Sequence, residues 1–401
     1  MKKLIITHME VRRRPALVTA LVGEAGLETL ELAPPEENRL LGSIHVGKVQ
    51  KVLPGLKGAF VEIEGKLPCY YAMEKEHHPI FRNEKKTDEL KAGDELLVQV
   101  TREAMKLKAP SVSSNLSFPG EYLVLTTENQ KVGVSSRIPQ PERERLKEEI
   151  TGLLPPSRDY GVIVRTNAPS APPGFLAREL TRLEAQKDAV LKKGMYSPCH
   201  TRIQNGDSRP EEAVKSCVWE ELEKIVTDDP EIFSELSGYV EQIHPGEGGR
   251  VQLYEDRLLP LYKLFSLEAG LERALSERVW LKSGGFLMIQ QTEACTVIDV
   301  NSGKQISARS KGSLIHELNQ EAARECARQI RLRNLSGILL IDFVNMTGED
   351  DRGQLLALMR NLVKTDRVTT RAVDVTALGL MELTRKKEKK TLREQWEELE
   401  S

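Results

Sequence analysis

The runs ACTVIDV (residues 294–300) and ILLIDFV (residues 338–344) are the two strongest apolar strand patterns in the chain, and they decide its fold class. Each run is short and rich in Ile, Val and Leu, which is typical of a buried β-strand. A helical pattern over residues 313–333 separates them, and a second one follows at residues 353–363. This alternation of strands and helices predicts an α/β arrangement in the last 120 or so residues.

Each of the two runs carries one aspartate near its C-terminal end, Asp299 in VIDVN and Asp342 in LIDFV. Strands joined through a helix can be neighbours in one sheet, and ligand sites of α/β sheets favour the carboxyl ends of the strands. Two close carboxylates that both stay ionised need a cation, and Mg²⁺ prefers such oxygen ligands. Asn301 lies two residues after Asp299 and therefore shares its side of the strand.

These three side chains predict hydrolysis of a phosphodiester, because a metal there would activate water and neutralise charge on the phosphate. A structural interpretation also stands: Asp299 and Asp342 are then strand-end residues that pair with Lys304, Arg331 or Arg333. The spacing alone does not decide between the two interpretations.

Composition limits the class of protein. The 401 residues are 39% hydrophobic and 29% charged, which predicts a folded protein with two to four domains at about 150 residues each. The net charge of -2 means that nucleic-acid binding requires a local basic face. We expect no membrane span and a cytoplasmic location, since no apolar stretch approaches about 20 residues. The five scattered cysteines include no Cys-x-x-Cys pair, which argues against a disulfide framework.

The first hundred residues are rich in strand patterns. Short apolar runs over residues 2–34 predict a β-meander, and residues 39–100 predict a small barrel of about five strands. Lysines and aromatic residues are interleaved along the barrel: Lys48, Lys51, Lys57, Phe60, Lys66, Tyr70 and Tyr71. Such a face can bind single-stranded RNA, with cations along the phosphates and rings against the bases. The alternative is a solvated basic surface with Phe60 in the core.

Helical patterns dominate the middle of the chain, at residues 141–153 and 173–193, and the spacing of apolar residues predicts that residues 210–280 are largely helical. The strand GVIV ends in Arg165 and Thr166, a guanidinium and a hydroxyl that can hold a terminal phosphate. Arg137 is a candidate third member. The alternative is that Arg165, at the end of the strand, is an ordinary surface residue.

Four stretches in order over nearly the whole chain resemble the ribonuclease E/G family of endoribonucleases. They are GKVQKVLPGLKGAFVEI (47–63), GVIVRT (161–166), VWLKSGGFLMIQQTEACTVIDVNSGK (279–304), and RQIRLRNLSGILLIDFVNM (328–346) followed by LGLMELTRKK (378–387).

The resemblance implies a multidomain α+β and α/β architecture. The implied domains are an RNase H-like subdomain in two segments (1–38 and 212–275), an S1-like OB-fold RNA-binding domain (39–118), a 5′-end sensor region (119–211), a DNase I-like catalytic domain (276–390) and a charged C-terminal tail (391–401).

The resemblance also implies an activity. It is Mg²⁺-dependent cleavage of single-stranded, A/U-rich RNA, with Mn²⁺ as the alternative ion, in RNA processing and mRNA decay. The products carry a 5′-phosphate, and 5′-monophosphorylated RNA is preferred. Asp299 and Asp342 match the family's metal-binding aspartates, and Asn301 matches the asparagine that helps to arrange them.

Further residues match by position. Arg165 and Thr166 match the residues that hold the 5′-monophosphate, and Arg137 is expected to join them. Phe60, Tyr70 and Lys108 match RNA contacts, although the family commonly reads Gly-Phe-Leu-Pro where this chain reads CYYA around Tyr70.

The C-terminus departs from the family pattern, which usually continues into a Cys-Pro-x-Cys zinc link between two protomers. No cysteine follows Cys326 here, so we expect no structural zinc, and any homo-oligomer would form without a zinc link. The rival hypothesis is a non-catalytic RNA-binding protein that retains the fold. The retained Asp299, Asn301 and Asp342 argue against it.

Overall fold

A computed structural model describes residues 1–35, 39–73, 78–83, 85, 87–104, 108–303, 311–345 and 349–399. The chain divides into two compact units. Residues 38–209 form one continuous unit, which we call the inserted unit. Residues 1–37 and 210–401 form the other, which we call the discontinuous unit because the insertion interrupts it.

The chain begins with an antiparallel meander of three strands, which confirms the sequence prediction for residues 2–34. The strands are β1 (Lys2–Val11), β2 (Arg14–Gly23) and β3 (Gly26–Ala33). The neighbours Ile5 and Ile6 point to opposite faces of the sheet, and both are fully buried. The meander therefore lies inside the discontinuous unit, with apolar cores on both of its faces.

The inserted unit begins with a closed barrel. Its strands are β4 (Ile44–Leu53), β5 (Gly58–Glu62), β6 (Pro68–Ala72), β7 (Ile80–Phe81), β8 (Glu95–Arg102) and β9 (Ser111–Ser113). The order β4-β5-β6-β9-β8 closes through pairing of β8 with β4, while β7 extends the edge of β8. The predicted barrel of about five strands is confirmed, and its fold fits an OB-like domain.

A second sheet with two helices completes the inserted unit. The elements are β10 (Ser117–Pro119), β11 (Leu123–Thr126), β12 (Val132–Val134), α1 (Gln140–Leu153), β13 (Gly161–Val164), α2 (Phe175–Tyr196) and β14 (Arg202–Gln204). The sheet order is β10-β11-β13-β12, and β12 and β13 run parallel. Both predicted helices are present, and β14 pairs with β4 of the barrel.

The discontinuous unit resumes with elements that extend the first sheet. They are α3 (Arg209–Lys215), β15 (Leu222–Thr227), α4 (Pro230–Ile243), β16 (Val251–Leu253), α5 (Leu261–Leu264) and α6 (Leu267–Leu275). β15 pairs in parallel with β1, and β16 pairs in parallel with β15, so the sheet order is β16-β15-β1-β2-β3.

The prediction that residues 210–280 are largely helical is therefore wrong for residues 222–227. The helical spacing of apolar residues from Val214 to Ile225 is coincidental, because α3 ends at Lys215. The run LEKIVT ends in three β-branched residues and lies against the central strand β1, where Leu222 and Ile225 are fully buried.

The last part of the chain is a mixed sheet with two long helices, as the alternation of patterns predicts. The elements are β17 (Arg278–Trp280), β18 (Phe286–Gln291), β19 (Cys295–Asn301), α7 (Lys311–Leu332), β20 (Gly337–Asp342), α8 (Glu349–Lys364), β21 (Thr370–Val375), β22 (Leu380–Arg385) and α9 (Leu392–Glu398). The sheet order is β17-β18-β19-β20-β22-β21, with β19 and β20 as parallel neighbours.

The two faces of this sheet differ. One face packs with α7 and α8 around a core that includes Ile298 and Ile341. Side chains on the other face, which we call the open face, are exposed or half-buried, and Asp299, Asn301 and Asp342 belong to it. In the part of the chain that the structure describes, we find no helix with the length and apolar character needed to span a membrane.

Candidate functional site

Asp299 and Asp342 lie side by side on the open face. They occupy paired positions at the C-terminal ends of the parallel strands β19 and β20, whose backbones are about 4.8 Å apart. Both side chains are exposed, while Ile298 and Ile341 just before them are fully buried in the core. The buried isoleucines fix the register, and the register places the two carboxylates next to each other.

Asn301 completes this group as the sequence predicts. Its Nδ2 donates a hydrogen bond of 2.8 Å to Oδ2 of Asp299, two residues before it on the same side of β19. The amide therefore restrains one aspartate beside the other.

The structural interpretation of the two aspartates finds no support among the described residues, where neither forms an ion pair. Arg333 is buried, and its Nε donates instead to Oε1 of Gln329 at 2.6 Å. Burial is the main reason that the pKa of Arg333 falls to about 10. Arg331 forms no ion pair with either aspartate in the described part of the chain, and Lys304, the third proposed partner, lies outside the described residues.

The donor set on the open face suits a hard divalent cation. Two adjacent carboxylates without a described cationic partner repel each other, and a bound cation would relieve that repulsion. In the described ranges we find no cluster of three or more His, Cys, Asp or Glu side chains arranged for a metal. Two carboxylates on an exposed surface fit Mg²⁺, which keeps several of its waters when it binds to proteins.

The barrel presents the predicted aromatic pair on its outer surface. Phe60 on β5 and Tyr70 on β6 are paired residues, and their rings meet edge to face with centroids 6.3 Å apart. Ala59 and Val61 fill the barrel core, whereas Phe60 is half-buried, so the alternative with Phe60 in the core is wrong. Tyr71 instead points inward and is 1% exposed.

A glycine makes room for the ring of Tyr70. A Cβ added to Gly58 would lie 2.5 Å from a carbon of that ring, so the ring rests directly on the backbone. The hydroxyl of Tyr70 donates to the carbonyl oxygen of Leu56 at 3.2 Å. Lys108 is exposed, and Pro110, two residues later, accepts a hydrogen bond of 2.8 Å from the Tyr70 amide.

The candidate phosphate residues meet at the ends of the parallel strands β12 and β13. Thr166 Oγ1 lies 2.9 Å from Ser135 Oγ, and the Arg137 amide donates to that same Ser135 oxygen at 3.4 Å. The amide of Ser135 in turn donates to Val164 at 3.0 Å. The sequence identified Arg137 and Thr166 but missed Ser135, which links them.

Backbone contacts orient Arg165. Its Nη1 donates to the carbonyl oxygen of Gly120 at 2.6 Å, and its amide donates to that of Tyr122 at 2.8 Å. The loop that supplies these oxygens is in turn held by Glu179 of α2, a residue that the sequence analysis missed.

The Glu179 carboxylate accepts hydrogen bonds from the amides of three successive residues, of which the last is the first residue of β11. The distances are 2.6 Å from Glu121, 3.0 Å from Tyr122 and 2.9 Å from Leu123. The side chain is almost fully buried, and burial raises the pKa of Glu179 although the three N–H groups act in the opposite direction. The signal in the sequence was a carboxylate on the apolar face of a helix.

A chain that combines an OB-like barrel with paired strand-end carboxylates points to the class of nucleic-acid-cleaving enzymes. The model of the Ribonuclease E/G family matches residues 117–388, more than half of the chain. The chain belongs to the ribonuclease E/G family, as the four sequence stretches indicated, and the prediction of an endoribonuclease of this type is confirmed.

Similar proteins agree with this assignment. Ribonuclease G of Haemophilus influenzae is 32% identical over 386 residues, which cover 93% of this chain and 78% of that protein. Ribonuclease G of Escherichia coli K12 is 30% identical over 377 residues, covering 91% and 76%. Ribonuclease E of Synechocystis is 31% identical over 371 residues, covering 91% of this chain and 55% of that protein.

Proposed function

We propose that this protein is a Mg²⁺-dependent endoribonuclease that cuts single-stranded, A/U-rich RNA and leaves a 5′-phosphate on the downstream product. The observation that carries the proposal is the juxtaposition of Asp299 and Asp342, with Asn301 bonded to one of them. The names of the similar ribonucleases G and E support RNA as the substrate. The corresponding role is in RNA processing and mRNA decay in the cytoplasm.

Asp299 and Asp342 would hold the cation. Mg²⁺, or Mn²⁺ in its place, supplies a Lewis acid that activates water and stabilises negative charge on the phosphate. The protein contributes two carboxylates in fixed register, and Asn301 restrains the Asp299 carboxylate through a hydrogen bond. Because both aspartates are exposed, an extended RNA backbone has access to them.

The barrel would bind the RNA chain. The rings of Phe60 and Tyr70 offer stacking surfaces, which are worth about 1–3 kcal/mol per base in proteins of this kind. Lys108 would contact a phosphate. This supports recognition of unpaired RNA, because the bases of a duplex are not available for such stacking.

The ends of β12 and β13 would bind a 5′-monophosphate. Arg165 would supply a guanidinium, Thr166 and Ser135 hydroxyl donors, and Arg137 a second positive charge. The carbonyl of Gly120 already orients Arg165, so little ordering is required when the phosphate arrives. This group supports a preference for RNA that carries a single phosphate at its 5′ end.

The sheet orders support the finer fold assignments that we propose. An antiparallel meander extended by two parallel strands, as in β16-β15-β1-β2-β3, suits an RNase H-like subdomain. The mixed sheet from β17 to β22, with its open face, suits a DNase I-like catalytic domain.

The test compares two variants of the pair with a matched control. Asp299→Asn and Asp342→Asn should each reduce Mg²⁺-dependent cleavage of a 5′-monophosphorylated, A/U-rich RNA by about 1000-fold, since the metal contributes several kcal/mol to the barrier. Asp374→Asn removes an exposed carboxylate from β21 of the same sheet and should leave the rate unchanged. RNA binding should persist in all three variants, and EDTA should stop the wild-type enzyme.

The outcomes separate the hypotheses. An Asp299→Asn protein that cuts at the wild-type rate would show that the catalytic carboxylates lie elsewhere. Wild-type protein that binds the RNA but never cuts it would support the non-catalytic RNA-binding protein instead. Equal cutting of a DNA version of the same oligonucleotide would contradict recognition of the 2′-hydroxyl.

The phosphate site has its own test. Arg165→Ala should reduce the preference for 5′-monophosphate over 5′-hydroxyl RNA without changing the rate on 5′-hydroxyl RNA. Lys192→Ala removes an exposed cation from α2 and serves as the control for a general loss of positive charge. Equal wild-type rates on the two RNAs would contradict the proposed sensor.

A further inference from the structure

Arg278, Trp280 and Phe286 form a cluster of one guanidinium and two rings on the open face, which we call the Trp280 cluster. The ring centroids of Trp280 and Phe286 are 5.3 Å apart at an angle of 61°. The guanidinium carbon of Arg278 lies 4.6 Å from the centroid of Phe286 and 5.6 Å from that of Trp280. Despite these contacts, 65% of Trp280 remains exposed.

The core of the sheet does not explain this exposed ring. The inward positions of β17 and the residue after it are Val279 and Leu281, and both pack with the core below the sheet. Trp280 points to the other face, where it buries little apolar surface. An exposed tryptophan in contact with a cation is typical of a binding surface more than of a structural position.

The strand register connects the Trp280 cluster to the carboxylates. Trp280 pairs with Phe286, and Phe286 pairs with Asn301 on β19. In the neighbouring row, Arg278 pairs with Met288, which pairs with Asp299. Phe286 is therefore one strand away from Asn301, and Arg278 is two strands away from Asp299, roughly 10 Å across the sheet.

We propose that the Trp280 cluster stacks an unpaired base of the RNA next to the phosphate that is cut, and that Arg278 contacts a phosphate beside that base. This inference rests on the proposed function of Asp299 and Asp342. Aromatic rings stack on any base, and a guanidinium attracts the phosphate backbone, so both parts of the cluster suit single-stranded RNA. Its continuity with the carboxylates on one face assigns it to a nucleotide close to the cut.

The first experiment measures cleavage by Trp280→Ala, Trp280→Phe and the control Ile338→Ala. Ile338 is also a large exposed apolar residue on the open face, but it lies three strands from Trp280. Trp280→Ala should reduce kcat/KM by about 5- to 150-fold, the range expected for the loss of one stacked base. Trp280→Phe should retain most of the activity, and Ile338→Ala should match the wild type.

Abasic RNA distinguishes stacking from a structural role. In a series of RNAs with one abasic nucleotide at successive positions around the cut, the Trp280→Ala effect should vanish at a single position. There the stacked base is already missing, so removing its platform has no further effect. An equal Trp280→Ala effect at every position would overturn the proposal.

A third experiment is independent of cleavage. The chain has three tryptophans, so Trp219→Phe combined with Trp396→Phe leaves Trp280 as the only indole. In EDTA, titration with single-stranded RNA should quench Trp280 fluorescence to saturation, and duplex RNA should not. RNA binding that is detected by anisotropy without quenching would overturn the proposal.

The outcomes also separate this inference from the proposed function. If RNA quenches Trp280 in the single-tryptophan variant but the wild-type protein never cuts RNA, the proposed cleavage is overturned and the stacking site is retained. Cleavage at the wild-type rate by Trp280→Ala would overturn the stacking site and retain the proposed cleavage function. If the Trp280 signal instead changes with protein concentration in the absence of RNA, the cluster is a contact between copies of this chain, and the proposal is wrong.

Discussion

At the scale of single residues, His45 is a buried neutral histidine in the barrel. It is 0% exposed, and its Nε2 lies 2.7 Å from Ser43 Oγ. The hydroxyl of Ser43 donates to the carbonyl oxygen of Leu40, so it accepts from the Nε2–H of His45. Burial, assisted by the positive charge of Arg202, lowers the pKa of His45 to about 4.

This lowered pKa predicts a loss of stability in mild acid. Below about pH 6.5 the unfolded chain binds a proton at His45 before the folded barrel does, so the contribution is complete above pH 6.5 and is lost as the pH falls to about 4. The loss approaches about 3 kcal/mol. His45→Leu should remove this part of the pH dependence. Urea titrations of the full protein at several pH values, with pulse proteolysis of the region 39–209 as the readout, will measure this loss of stability. If His45→Leu has the same pH profile as the wild type, His45 is not its source.

The contacts of Glu179 predict that this buried carboxylate affects recognition of the RNA 5′ end. Glu179→Ala leaves the amides of residues 121–123 without their acceptor, so we expect a loss of stability on the order of 3 kcal/mol. Because the same loop holds Arg165, the preference for 5′-monophosphate should fall while cleavage of 5′-hydroxyl RNA is retained. Glu148→Ala, an exposed carboxylate on α1, is the control. Destabilisation with an unchanged preference would assign Glu179 a purely structural role.

Single residues differ in how far the sequence alone reveals them. Asp299 and Asp342 were visible because each ends a strongly apolar run, and parallel neighbours bring such ends together. Glu179 had a weaker signal: its spacing from Leu176 and Leu183 places it on the buried face of α2. Its partners could not be predicted, because they are backbone amides, which nearly every residue has, and the sequence does not show which of them bond to Glu179.

At the scale of elements, strands with a continuous apolar run were recognised from the sequence, and a strand whose apolar residues follow a helical spacing was not. β19 and β20 are continuous apolar runs with β-branched residues, so no other element competes with the strand pattern. β15 is a strand because β1 offers it a partner more than 200 residues away in sequence, which a local pattern cannot reveal. The Trp280 cluster was not predicted from the sequence for the same reason, since its residues come together only when β17, β18 and β19 are in register.

The C-terminal helix α9 predicts a measurable capping effect. Thr391 Oγ1 accepts from the amide of Glu394, and Glu394 Oε2 accepts from the amide of Thr391 at 2.7 Å, which forms a capping box. The helix packs on β3, where Gln395 Oε1 accepts from the amide of Leu32 at 2.8 Å. Thr391→Ala should therefore reduce the free energy of unfolding by about 1 kcal/mol. Thermal melts will measure this loss, and Thr391→Ser should be near neutral because serine retains the capping hydroxyl. A serine variant as unstable as the alanine variant would indicate that packing of the threonine methyl group is the cause.

At the scale of the whole molecule, the two units differ in how they are built from the chain. The fully buried residues of the two apolar cores of the inserted unit all lie between Ile44 and Ile203, so we expect this unit to fold without the rest of the chain. The discontinuous unit is different, because β1 lies between β2 and β15, and Lys3 pairs with Lys224. Closing so long a loop makes this pairing slow to form.

Deletion of residues 1–35 tests this division. The deletion removes β1, β2 and β3, so β15 loses its central neighbour and Leu222 and Ile225 lose the strand that buries them. Helix α7 also loses a partner, because Arg328 Nη1 donates to the carbonyl oxygen of Leu27 at 2.8 Å. We therefore expect the truncated protein to keep residues 39–209 resistant to proteolysis while residues 222–275 are digested. Mass spectrometry of the surviving fragments, with the full chain as the control, will show which part persists. Protection of residues 222–275 in the truncated protein would mean that β15 and β16 are stable without the meander, and that the discontinuous unit is not one cooperative structure.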